Sequence, residues 1–233
     1  MRYRCEKIKG PRKERYNTLR LLEIIGIVSE RIENDPQINN AMDKAGIPAK
    51  PTRNRKKLVE RITKKAIRTL FAVISEKVRE EHVFVSIMNF GVFSPKFIKR
   101  KKSNTIVTRI GFARYAKGEK YKRQHDTLRL PEITKIVFKQ IKNSPQVIKA
   151  MEIAKVPAKP IRNRSQLVRK INKKAIRTLF AVISEKVREE HVFVSIMNFG
   201  TFSPRLIKKA KSNTIVTRIG FARYVRRKKE RSQ

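Results

Sequence analysis

One stretch constrains this chain more than any other. KKAIRTLFAVISEKVREEHVFVSIMNFG runs from Lys64 to Gly91 and returns letter for letter from Lys173 to Gly200. The offset of 109 residues between Phe90 and Phe199 also separates Thr18 from Thr127, so Tyr16–Tyr115 aligns with His125–Tyr224 without a gap. A period of about 100 residues is too long for a solenoid repeat and suits a small domain. The chain therefore reads as a basic N-terminal arm (1–15), repeat 1 (16–115), a polar linker (116–124), repeat 2 (125–224) and a basic tail (225–233).

Hydrophobic residues make up 39% of the sequence, enough for two modest cores and too many for a disordered polyelectrolyte. No apolar run approaches the ~20 residues that a membrane-spanning helix requires, so no membrane partner is expected. The segment MRYRCEKIKGPRKERY has no apolar h-region and reads as a basic arm rather than a secretory signal. Cys5 is the single cysteine, which fits a reducing, intracellular compartment and leaves no internal disulfide to form.

Charge supplies the functional direction. Lys and Arg number 59 against 19 Asp and Glu, a formal net charge of +40. Such a field attracts any polyanion, and nucleic acid gains most because neutralising its phosphates releases counterions. Charge sign alone leaves acidic protein lattices such as microtubules as competitors.

Within each repeat the pattern is helices first and strands afterwards, which is the α+β class. Asn17 and Thr18 are placed to cap a first helix with Leu22, Ile25, Val28 and Ile32 on one face. In repeat 2, Pro131 stands at the position of Leu22, so that helix begins there. Asp35-Pro36 and Ser144-Pro145 start a second, short helix, whose end near Gly46 is not glycine-dependent, since repeat 2 has Lys155 there. IPAKPTRNR (Ile47–Arg55) and VPAKPIRNR (Val156–Arg164) read as extended connectors, with Asn54 and Asn163 as N-caps of the next helix in each repeat. That helix is long and amphipathic, expected over about Arg55–Glu80 and Arg164–Glu189, with Lys64, Lys65 and Arg68 on its outer face. The period changes to two after His82, giving a strand over Val83–Phe93 in which Gly91 marks a bulge or a close backbone approach. A second strand, Thr105–Tyr115, completes a hairpin with a cationic tip at Lys101–Asn104, and repeat 2 does the same.

A long helix running into V-x-I-x-N-F-G-x-F and then a basic hairpin resembles the HU/IHF family of DNA-architectural proteins. The matching residues are Phe90-Gly91-Val92-Phe93 and Phe199-Gly200-Thr201-Phe202, where that family has G-F-G-x-F, and Ser165–Ile171 is similar to its opening helix. The likeness extends to the eukaryotic branch of HU-like domains, and it covers Asn54–Tyr115 and Asn163–Tyr224. It implies tandem HU-like domains that pair as an intramolecular pseudo-dimer or as a homodimer, with hairpins Pro95–Val107 and Pro204–Val216 as arms that grip DNA. The family's arm tip carries R-N-P-x-T-G, whose proline wedges between base pairs; KRKKSN and KKAKSN here have no proline. Phosphate binding is thus expected more than sharp kinking.

The candidate nucleic-acid contacts are Lys96, Lys99, Arg100, Lys101, Lys102, Arg109 and Arg114 in repeat 1, and Arg205, Lys208, Lys209, Lys211, Arg218 and Arg223 in repeat 2. The arginines of the second strand, Arg109, Arg114, Arg218 and Arg223, face either phosphates or plain solvent. Phe90, Phe93, Phe112 and Tyr115 read as core rather than as base-stacking platforms. His82 and His191 follow glutamate pairs but lack a second ligand at metal spacing, so they mark a helix-to-strand junction. No phosphate loop, nucleophile elbow or zinc-protease motif occurs, and neither catalysis nor a cofactor is expected. The expected activity is largely sequence-independent binding and compaction or bending of double-stranded DNA through the basic arms and helix faces, with RNA as a second possible partner, in a nucleoid, nucleus or virion-associated particle. A structural protein docked on an acidic lattice and a ribosome-like RNA-binding component are the alternatives.

Overall fold

The computed structural model describes residues 17–48, 52–99, 105–113, 126–157, 160–208 and 215–222. Repeat 1 contains β1 (Thr18–Arg20), α1 (Leu21–Glu33), α2 (Pro36–Lys44), α3 (Thr52–Arg79), β2 (Phe84–Ile87), β3 (Gly91–Lys99) and β4 (Ile106–Ala113). Repeat 2 has the same order with β5 (Thr127–Arg129), α4 (Leu130–Ile141), α5 (Pro145–Ile153), α6 (Ile161–Arg188), β6 (Phe193–Ile196), β7 (Gly200–Lys208) and β8 (Ile215–Ala222). The class is α+β, with six helices and two mixed sheets of four strands among the described residues.

The two repeats interlock. The sheet orders are β4-β3-β2-β5 and β1-β6-β7-β8, so each repeat lends its first strand to the edge of the other's sheet. These borrowed strands pair in parallel, Leu128 opposite Val85 and Leu19 opposite Val194. The helices cross over too: α1 and α2 pack on α6, while α4 and α5 pack on α3. Instead of two modest cores there is one, in which the buried residues of both repeats form a single connected cluster.

At four places the local structure departs from the sequence reading. Thr18 belongs to a strand, not a helix cap; α1 begins at Leu21, where Glu23 accepts a hydrogen bond from the Arg20 backbone N–H at 2.6 Å. Glu132 does the same for Arg129 in repeat 2. Asn54 and Asn163 lie inside the first turn of α3 and α6, which start at Thr52 and Ile161. Asn163 instead donates through Nδ2 to the Lys44 carbonyl of the other repeat at 2.9 Å. The strand expected over Val83–Phe93 is broken by a turn at Met88-Asn89-Phe90, where Asn89 has φ 65°. Asparagine tolerates this left-handed conformation better than most residues.

Gly91 is a close backbone approach, as its position inside an apolar strand suggested. A Cβ there would stand 2.6 Å from the Phe112 ring and 2.7 Å from the Ala113 carbonyl. The Phe112 ring lies over that gap, and Phe221 covers Gly200 in the same way. Helix α2 ends in a left-handed residue at Gly46 (φ 72°), and Lys155 takes the same conformation (φ 56°), so the stop is indeed independent of glycine.

Phenylalanines join the halves. Phe90 stacks at 4.8 Å on Phe180 of α6, and Phe199 at 4.7 Å on Phe71 of α3. Of the aromatic residues read as core, Phe90 and Phe93 are buried, as are Phe199 and Phe202 in repeat 2; Phe112 is half-buried and packs against the core, and Tyr115 lies outside the described residues.

Candidate nucleic-acid interface

Strands β3 and β4 pair antiparallel along their length, as do β7 and β8, and the tips beyond Lys99 and Lys208 lie outside the described residues. Residues opposite one another on antiparallel strands share a face, and faces alternate along the strand. Phe93, Phe112, Pro95 and Ile110 therefore face the helices. Lys96 and Arg109, directly paired, face away from them, and Arg205 and Arg218 form the matching pair in repeat 2.

Each hairpin thus sets a cation directly across from a cation on its outer face. Like charges in this position destabilise a sheet. Lys96, Arg205 and Arg218 are exposed and Arg109 half-buried. A glycine sits beside each pair, and the two differ in use: Arg205 lies across Gly220 where a Cβ would stand, whereas Gly111 keeps 3.7 Å between that position and Lys96 Cβ. Strands β4 and β8 meet on their core-facing side, where Phe112 and Phe221 lie 6.1 Å apart.

The opposite side of each hairpin is apolar beyond the core. Phe97 and Ile106 are 59% and 70% exposed, and Leu206 and Ile215 take their places at 53% and 59%. This amphipathic character was not read from the sequence, although the alternation of Phe97 and Lys96 carries it. At the base, His82 adopts φ 57° and its Nε2 lies 3.1 Å from Thr108 Oγ1, with Phe97 stacked at 5.1 Å. His191 repeats the contact with Thr217 at 2.9 Å. Both histidines thus sit at the helix-to-strand junction, tying the arm to the end of the long helix.

Of the other expected contacts, Lys99 is exposed near the end of β3, on the apolar side, opposite Ile106. Lys208 ends β7 and only its backbone is described. Arg100, Lys101, Lys102, Arg114, Lys209, Lys211 and Arg223 lie outside the described residues. Among the described residues no group of three His, Cys, Asp or Glu side chains could hold a metal, and no helix is long and apolar enough to cross a membrane.

Several acidic residues are committed to ion pairs away from the hairpins. Glu81 and Glu190 pair with Lys77 and Lys186 one helical turn away. Glu185 receives both terminal nitrogens of Arg31, at 2.7 and 2.9 Å, across the repeat boundary. Lys174 reaches Asp35 across the same boundary, so this cation, a counterpart of Lys65 on the supposed outer face, is an interface residue. The matching residues on the other side are Gln140 and Ser144, which carry no charge, so these ion pairs form on one side of the repeat boundary only.

These pairs make stability pH-dependent. Hydrogen bonding to Arg31 holds the Glu185 carboxyl below the usual carboxylate range, and Lys174 does so for Asp35. A carboxyl depressed in the folded state contributes stability above its unfolded value, about pH 4, and loses it as pH falls from there through the folded value. Asn at position 35 keeps the N-cap bond to the Gln37 N–H (2.9 Å) without the charge. Asp35→Asn is therefore expected to melt lower than the wild type at neutral pH and to show a smaller loss of melting temperature between about pH 5 and pH 2; thermal melts across that range check it.

Compared with protein-family models, curated proteins and solved structures, the chain matches none.

Proposed function

We propose that the protein is a non-enzymatic, tandem HU-like protein that binds double-stranded DNA through its phosphates and compacts or bends it. The reading rests on one observation above all: both hairpins hold cations directly opposite cations on an outward face. Such pairs cost stability in the free protein and are relieved when an anion lies between them. A polyanion with regularly spaced phosphates offers such an anion to the pair on each hairpin, and the net charge of +40 draws it in. Contacts of this kind position the duplex without reading its sequence. The exposed Phe97 and Leu206 on the other side of the arms suit the sugar edges of a groove. A nucleoid, nucleus or virion-associated particle is the setting this activity implies.

The test is a titration of labelled duplex DNA, duplex RNA and microtubules across a salt series. The proposal expects DNA to bind more tightly than RNA at every salt concentration, with affinity falling steeply as salt rises. Microtubule binding that persists at physiological salt after DNA binding has gone would replace it with the acidic-lattice reading.

A further inference from the structure

A cleft of about 880 Å³ opens where the repeats meet, away from the paired cations of the arms. Three pieces build it: the β2–β3 turn of repeat 1, the C-terminal half of α6, and the junction of β5 with α4. Phe90, Phe180 and Leu130 give it an apolar floor, and Ala181, small and exposed, leaves the middle open. Arg129 and Arg177 stand exposed at its rim. No Asp or Glu is among the residues lining it.

Two chemistries are therefore combined in one concavity of the size that small ligands occupy. A free phosphate would use the guanidinium groups and leave the phenylalanine floor wet. A neutral hydrocarbon would gain burial and leave the cations without a counter-charge. A duplex is a rod too wide to reach the floor. We infer that this cleft binds a small amphipathic anion, an apolar body bearing one carboxylate or similar acidic head, with the body on Phe90 and Phe180 and the head between Arg129 and Arg177. The site is independent of the arms, so its occupancy and duplex binding are separable.

The other copy presents the same residue types at the corresponding positions, with Leu22 in place of Pro131. Leu22 is 60% exposed and bulkier than the proline it replaces, so the matching position serves as the control. Calorimetric titration with decanoate is the experiment. Wild-type protein is expected to bind it saturably, with acetate and decanol each at least tenfold weaker. Ala181→Trp, which fills the cleft, and Arg177→Ala, on an exposed helix position, each weaken decanoate at least tenfold. Ala72→Trp, the same substitution at the matching position of α3, leaves it unchanged, and all three variants keep wild-type affinity for duplex DNA. Decanol binding as tightly as decanoate, wild-type binding by Arg177→Ala, or equal losses in Ala181→Trp and Ala72→Trp would overturn the assignment.

Discussion

Replacing Phe93 by alanine is expected to remove about 3–5 kcal/mol of stability and to weaken both repeats together. Phe93 is fully buried, and five rings surround it. Phe90 and Phe112 come from its own repeat; Phe199, Phe202 and Phe221 come from the other, at centroid distances of 5.5, 6.4 and 6.1 Å. A cavity here cannot be confined to one half, because one continuous core serves both. Against a total of ~5–15 kcal/mol typical of folded domains, the loss is a large share. Urea unfolding monitored by circular dichroism should show a single transition displaced to lower denaturant. Two transitions, of which only one moves, would mean that the repeats fold as separate units.

The second large effect concerns binding. Changing Lys96, Arg109, Arg205 and Arg218 to alanine together is expected to weaken duplex DNA binding roughly a hundredfold to a thousandfold at physiological salt. That figure takes ~1 kcal/mol for each solvent-exposed cation–phosphate pair removed, below the ~1.5–3 kcal/mol of a charge-assisted hydrogen bond in a protein interior. Stability should move the other way or stay level, since opposed like charges are removed from two strand pairs. Weakened binding with retained melting temperature, read by fluorescence anisotropy and thermal melts, distinguishes a phosphate clamp from a structural defect.

Much of this fold is legible in the sequence. The apolar stripe from Leu58 through Val78 gives α3 to within a few residues, because a buried helix face repeats every three or four positions. The hairpins emerge from alternating apolar residues, and the packing role of Gly91 from its place in an apolar strand. What stayed hidden is non-local. Thr18–Arg20 and Thr127–Arg129 are three residues long, too short for any period to register, and they are strands only because β6 and β2 lie beside them. The identical stretches Lys64–Gly91 and Lys173–Gly200 could not reveal which copy pairs with which. The copies do differ at Arg31 against Gln140 and Asp35 against Ser144, which lets α1 and α2 form ion pairs with α6, but α3 carries the same partners in Glu76 and Lys65, so that difference does not select the pairing either. At the candidate interface, basic alternation in β3 and β4 picked out Lys96 and Arg109. Their direct opposition required the register, which depends on the whole hairpin.

The measurement that tests the central claim most directly is the slope of log affinity against log salt concentration for duplex DNA, compared between the wild type and the fourfold alanine variant. Each neutralised phosphate contributes about −0.9 to that slope, so removing all four cations should make it shallower by about 3–4. An unchanged slope with wild-type affinity would mean that the paired cations face only solvent and that the polyanion is held elsewhere.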